Sequence, residues 1–155
     1  MELPPDRATA YHEAGHAVMA LALGRPVHRI SVEADREGLG LCEFRKGVVR
    51  PSEDWLEREI LIALGGLAAE ARLTGDYAWD AADRDRQYVH DLAVQRAGER
   101  QADRLIRRLL AKAEHLLAKD GHWRAVELIA AELLQRGAIS GRAARHLFEQ
   151  ASSPC

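Results

Sequence analysis

Apolar and polar positions follow a helical period over most of this 155-residue chain. Asp6 is a residue of the N-cap type, and the apolar run behind it predicts a first helix ending near residue 23, where Gly24 and Pro26 form a stop signal. Residues 27–34 alternate with β-branched side chains, and residues 38–44 can return as a second strand after a polar turn. This pair predicts a small β-hairpin.

A second helix is predicted over residues 53–73, with Ser52 as its cap. Its apolar positions recur every three or four residues, at Leu56, Ile60, Ala63 and Leu67. Three residues further, the same spacing reaches Glu70, so a carboxylate takes a position that faces inward. A buried carboxylate needs a partner.

The remainder of the chain is also helical in pattern. A proline-free stretch over residues 82–119 predicts two helices that meet at Gly98. Two shorter helices follow, over residues 123–136 and 141–150, and Ser140 caps the second. The pattern as a whole predicts a mainly α fold, a helical domain with a small β-hairpin.

Composition and charge narrow the class of protein. With 47% hydrophobic and 30% charged residues, residues 1–155 have the length and composition of a single globular domain with a hydrophobic core. A net charge of −2 argues against non-specific electrostatic binding to nucleic acid. The longest apolar run, residues 17–23, is too short for a membrane segment, and two cysteines provide no disulfide framework. We therefore expect a cytoplasmic protein without a nucleic-acid partner.

Two histidines interrupt the apolar run of the first helix, in the stretch "AYHEAGHAV". His12 and His16 are four residues apart, so both rings lie on one helix face and suit Zn²⁺. Glu13 points about 100° away around the helix, where it can act as general base on a zinc-bound water. The alternative is a pair of core histidines with hydrogen-bond partners beside a surface glutamate, and the HExxH spacing alone does not exclude it.

Three stretches in the same order resemble a known family. "AYHEAGHAV", "PVHRISVEADREGLGLCEF" and "LIALGGLAAEARL" are similar to the peptidase domain of the FtsH-type AAA zinc metalloproteases, and "VELIAAELLQRGAISGRAARHLF" resembles its last helices. The resemblance implies a single peptidase-like domain over residues 1–155, with two histidines and a distant aspartate as zinc ligands. The sequence must then supply that aspartate.

The stretch "DAADRDRQYVHDLA" holds three candidates for this third ligand, Asp80, Asp83 and Asp85. Asp85 precedes Val89 by four residues and Leu92 by seven, so it shares their inward helix face, whereas Asp83 aligns with polar positions. Asp85 is preferred, and Asp83 stays open as the alternative.

Glu70 is a further candidate, since a glutamate on a later helix is the third ligand in other HExxH peptidases. In the resembled family the glutamate of "AAE" lies close to the site without being the preferred ligand. We therefore expect Glu70 to accept the free N–H of a zinc-bound histidine and fix its tautomer.

The predicted function is that of a zinc endopeptidase acting on unfolded or flexible protein segments. Gly38 and Gly40 would let an extended peptide approach the predicted hairpin as an added strand. The sequence contains no G-x-x-x-x-G-K-[ST] motif, so we expect a stand-alone, ATP-independent peptidase domain, with a homo-oligomer or a separate partner protein left open. The competing hypothesis is a regulatory module that keeps the zinc site without turnover.

Overall fold

The computed structural model describes residues 6–33, 41–44, 54–79 and 83–153. Its helices and strands follow in the order α1 (Arg7–Ala22), β1 (Val27–Ser31), β2 (Leu41–Phe44), α2 (Trp55–Thr74), α3 (Asp83–Ala97), α4 (Glu99–Leu117), α5 (Asp120–Arg136), β3 (Ala138–Ser140) and α6 (Gly141–Ser152). The predicted mainly α fold with a small β-hairpin is confirmed.

Two of the three predicted helix caps are confirmed. The Asp6 carboxylate accepts a hydrogen bond from the backbone N–H of Ala8, and Ser140 caps α6 through the N–H of Ala143. The cap of α2 is Asp54 and not the predicted Ser52. Asp54 directly precedes the helix, and its Oδ1 lies 3.1 Å from the backbone nitrogen of Glu57, the third helical position, where a capping side chain finds an unsatisfied N–H.

The β-hairpin is confirmed and is part of a larger sheet. β1 pairs antiparallel with β2, placing Ile30 opposite Cys42, and with β3 on its other side, placing Ile30 opposite Ile139. The strand order is therefore β2–β1–β3. β3 was not predicted, because a three-residue strand is too short to show an alternating pattern.

Helix α1 lies at the centre of the fold. It packs most extensively against α2 and α5 and also contacts α4, α6 and β1. Its residues from Ala14 to Ala20 are all buried, so this helix is covered on every side. Small residues allow this close packing, because three alanines and a glycine in the segment leave room for neighbouring backbone.

The outer helices bury one face each. Helix α4 contributes residues at spacings of three and four to the core: Ala102, Leu105, Leu109, Ala113 and Leu117. Gly98, with φ of +83°, separates α3 from α4, as predicted.

Within the described part of the chain, no helix combines the length and apolar character needed to cross a membrane.

Candidate metal centre

The two histidines of the predicted metal site point to one place from α1. The rings of His12 and His16 lie with their centroids 4.7 Å apart and nearly perpendicular to each other. Their side chains are only 12% and 9% exposed. The one-turn separation therefore produces the shared face that the sequence predicts.

Asp85 reaches both histidines from the first turns of α3. Its Oδ2 lies 2.7 Å from Nε2 of His12 and 3.1 Å from Nε2 of His16. One carboxylate oxygen thus meets the same nitrogen of both rings. The Asp85 side chain is 27% exposed, so the cluster opens toward α3.

Helix α2 holds the other nitrogen of each ring. Nδ1 of His16 donates to the backbone carbonyl of Ile62 at 2.8 Å, and Nδ1 of His12 lies 3.4 Å from Oε1 of Glu70. With the proton on Nδ1, each Nε2 keeps its lone pair for a cation. Glu70 lies beside a histidine ring, and its role in orienting that ring stays a prediction. The Ile62 carbonyl was not predicted, because a backbone acceptor leaves no mark in the sequence.

The glycine pair of α2 makes this approach possible. A Cβ atom at Gly66 would lie 2.5 Å from Nε2 of His16 and 2.9 Å from Cδ2 of His12. A Cβ at Gly65 would lie 2.9 Å from the carbonyl oxygen of Gly15, and one at Gly15 would overlap the Gly65 carbonyl. Two adjacent glycines inside a buried helix cost about 1 kcal/mol each, which was a signal that this segment meets other groups closely.

Glu13 lies beside the cluster and is buried, with a relative exposure of 6%. Its carboxylate and the ring nitrogens of His12 and His16 lie within 4.8 Å of one another. Burial raises the pKa of Glu13, and the neighbouring histidines offset part of this rise. A carboxylate with a raised pKa is a stronger proton acceptor than an exposed one.

The cluster attracts positive charge. Burial alone would lower the pKa of His12, but its bonds to Asp85 and Glu70 outweigh burial and raise that pKa to about 10. Burial alone would raise the pKa of Asp85, but the charges and hydrogen bonds of both histidines hold it well below its usual range. The same convergence of lone pairs that binds a proton also suits a metal cation.

The donor set fits zinc. Two imidazole nitrogens and one carboxylate oxygen are the ligand types of catalytic zinc sites, which leave a fourth position open. Ligand atoms on a tetrahedral zinc lie about 3.3 Å apart when the bonds are about 2.0 Å. The two nitrogen-to-oxygen distances of 2.7 and 3.1 Å are close to this separation. The side chains are therefore gathered at nearly the required spacing.

Some predicted site residues fall outside the described parts. Gly38, Gly40 and Asp80 are not among the described residues, and for Asp83 only its place at the start of α3 is described. The proposed roles of these residues therefore stay predictions. The other histidines stand apart: His28, His90, His115 and His146 are exposed, and Nδ1 of His122 donates to the backbone carbonyl of Leu116 at the end of α4.

Comparison with protein families gives a match at this site. The family model described as "Peptidase M50B-like" matches residues 7–51, which include α1 with both histidines and Glu13. This match covers less than a third of the chain.

Several curated relatives match a longer part. ATP-dependent zinc metalloproteases FtsH of Thermotoga maritima and Magnetococcus marinus are 42% and 38% identical in alignments of 84 and 96 residues, and these alignments cover 50% and 56% of this chain. The FtsH of Syntrophotalea carbinolica is 36% identical over 91 residues. The matched segment spans only 13 to 14% of these relatives. Together these similarities support an FtsH-type zinc peptidase domain in this chain, as its motifs predict, and they imply Zn²⁺ as the metal.

Proposed function

We propose that residues 1–155 form one peptidase domain that hydrolyses peptide bonds with His12, His16 and Asp85 as zinc ligands and Glu13 as general base. The observation that carries the proposal is the position of Glu13. This buried carboxylate with a raised pKa lies within 4.8 Å of a ring nitrogen of His12 and of His16, the two histidines that Asp85 also contacts. A purely structural metal site has no use for a proton acceptor at that point.

Zinc, when bound, supplies a Lewis acid that polarises the scissile carbonyl and makes water more acidic. Glu13 accepts a proton from the water whose oxygen attacks the carbonyl carbon. It then delivers that proton to the amide nitrogen as the carbon–nitrogen bond breaks, so the products are a free carboxylate and a free amine. The Ile62 carbonyl and Glu70 keep both rings in the orientation that this chemistry requires.

The peptide would bind along β2. In the described residues this strand pairs only with β1, so its second edge has backbone groups available for another strand. An extended peptide can add to such an edge through main-chain hydrogen bonds. Gly38 and Gly40 come just before β2 in the sequence, where they are predicted to let the peptide backbone approach closely. Only an extended chain fits this mode, which favours unfolded or flexible segments as substrates.

The decisive experiment is Glu13→Gln. The amide is nearly isosteric and accepts no proton at neutral pH, so we expect the variant to retain zinc while kcat falls by about 100-fold or more. Zinc content and turnover of a quenched fluorescent peptide are measured on one preparation.

Glu132→Gln is the matched control, because Glu132 lies on α5 in an exposed pair with Arg136. It should keep full activity. Cleavage by Glu13→Gln at the wild-type rate would show that another group is the base, and a wild-type protein that holds zinc but cuts no peptide would favour a regulatory module.

Substrate form is tested with a stably folded protein and a permanently unfolded variant of it. We expect the 155-residue chain to cut the unfolded form without nucleotide and the folded form no faster than it opens spontaneously. Dependence of cutting on added ATP in this chain alone would contradict the proposal of an ATP-independent peptidase.

A further inference from the structure

A charged pair that the proposed chemistry does not use lies near the metal centre. Arg25, which follows α1, forms a hydrogen-bonded ion pair through Nη1 with Oε1 of Glu59 on α2. The Arg25 guanidinium also stacks over the ring of Phe44 in β2, 4.6 Å from the ring centroid. The Glu59 side chain is 9% exposed and that of Arg25 is 21% exposed. The arginine is therefore the member of the pair that solvent reaches.

The contact between the two charges uses only one oxygen of the carboxylate. Oε2 of Glu59 is buried and has no hydrogen-bond partner in the described part of the chain. A buried carboxylate is costly without a cation, so Glu59 fixes the position of Arg25. A guanidinium has five N–H donors. Among the described residues, its contacts are with Glu59 and with the Phe44 ring, which leaves donors for a ligand.

The pair lies along the proposed path of the peptide. Cys42 and Phe44 are two residues apart in β2, so their side chains share one face of the strand, about 7 Å apart along it. Helix α1, which carries Glu13, contacts β2, and the charge of Glu13 adds to the rise that burial produces in the pKa of the Cys42 thiol. Phe44 and Arg25 therefore lie about two residues further along the strand.

Glu59 lies on α2, which packs against α3. Tyr88 follows Asp85 by three residues on that helix, so the two share a face. Burial raises the pKa of the Tyr88 hydroxyl, and the charge of Glu59 adds to the rise. The pair therefore meets β2 through the stacking of Arg25 on Phe44, and its other member lies on α2, which packs against the helix that carries Asp85.

We propose that Arg25 determines substrate specificity by binding an acidic side chain of the peptide, about two residues from the bond that is cut. A planar guanidinium binds a carboxylate through two parallel N–H···O bonds, and stacking on Phe44 keeps the guanidinium plane in place. Glu59 has a second effect, because its negative charge weakens the attraction for an acidic ligand. The proposal rests on the proposed peptidase function.

The two residues of the pair consequently give opposite predictions. Arg25→Gln removes the donors and the charge, so the preference for an acidic side chain should disappear. Glu59→Gln keeps a side-chain oxygen that accepts a hydrogen bond from Arg25 and removes the opposing charge, so the preference should increase at least twofold. Arg25→Lys keeps the charge without the planar fork and should retain part of the preference.

The experiment uses zinc-loaded protein and pairs of peptides that differ only by glutamate or glutamine. The substituted position runs from three residues before the scissile bond to three residues after it. The kcat/KM ratio within each pair is measured for wild-type protein, and binding of the same pairs is measured by fluorescence polarisation on Glu13→Gln. We expect about a tenfold preference for glutamate at one position, mainly through KM. Arg29→Gln, at an exposed position of β1, is the control and should keep this preference.

Each outcome is informative. Equal cutting of all pairs, or a preference that persists in Arg25→Gln, overturns the role of Arg25 and leaves the peptidase function intact. If Arg25→Gln does not fold, a preference that neither Arg25→Lys nor Glu59→Gln changes overturns it as well. Zinc-loaded, folded wild-type protein that cuts none of the peptides rejects the peptidase function and with it this proposal.

Discussion

At the metal centre α1 packs against α2, and α3 also packs against α2. Different forces hold these two helix pairs together. Helices α1 and α2 touch backbone to backbone, at Gly15 and Gly65, in a fully buried crossing. Helix α3 has three buried apolar side chains and is tied to α2 by an exposed ion pair between Arg96 and Asp54 at 2.7 Å. Exposed ion pairs contribute about 0–1 kcal/mol. One half of the cluster is therefore fixed by main-chain packing, and the half with Asp85 is held more loosely.

The largest expected effect concerns Asp85, which lies on the loosely held helix α3. Asp85→Ala should lower zinc affinity by more than about 100-fold, since the variant loses a proposed zinc ligand, whereas losses of groups that orient a ligand typically cost about 10- to 100-fold. The metal-free protein should also lose stability, because the ionised Asp85 carboxylate pairs with both histidines, which hold its pKa well below its usual range. Competition with a chromogenic chelator measures the affinity, and denaturant unfolding measures the stability.

Asp83→Ala and Glu70→Ala complete this comparison. Asp83→Ala should have little effect, and Glu70→Ala should fall between the other two, because Glu70 contacts Nδ1 of His12 instead of the converging Nε2 atoms. If either of these variants were the most damaging, the choice of Asp85 from its helix face would be wrong.

The next effect tests the rigid half. Gly15→Ala should lower the free energy of unfolding by about 1–3 kcal/mol, because the added methyl overlaps the Gly65 carbonyl and would lie 2.5 Å from Cβ of Ala69. Gly121→Ala is the matched control, since a Cβ there meets its nearest atom at 3.5 Å, an ordinary contact. Urea unfolding compares them, and equal stability of both variants would contradict tight packing at the crossing.

The way in which each half is built also explains what the sequence could predict. The four-residue spacing of His12 and His16 is local, so it predicts their shared face, and the inward face of α3 predicts that Asp85 points toward them. The Ile62 carbonyl and the contact between Gly15 and Gly65 depend on how two distant helices cross. Helical periodicity identifies which residues face inward, but it contains no information on which backbone they meet. Ser52 was mistaken for the cap because it and Asp54 are both of the capping type.

The smallest expected effect concerns the ion pair between Asp54 and Arg96, which connects α2 with α3. Burial alone would raise the pKa of Asp54, but the hydrogen bonds from Arg96 and from the N–H of Glu57 hold it below its usual value. The ionised carboxylate therefore stabilises the fold above the unfolded-state pKa of about 4, and this contribution is lost as the pH falls below it.

Asp54→Ala should accordingly cost about 1 kcal/mol at pH 7 and less near pH 3, where loss of the wild-type carboxylate charge has begun. Asp54→Asn keeps a capping side chain without the charge and should lose less than the alanine variant. Unfolding by urea at both pH values measures the difference, and a cost that does not change with pH would show that the charge contributes nothing.

The backbone contact at the α1–α2 crossing also sets how the centre comes apart. No side-chain rotation can separate Gly15 from Gly65, so the amide hydrogens around His16 should exchange with solvent only when the whole domain unfolds. Helix α3, with few buried side chains, can open by itself, and its amide hydrogens should exchange far sooner. The histidine pair would then persist as long as the fold does, while the contact with Asp85 lasts only as long as α3 stays docked.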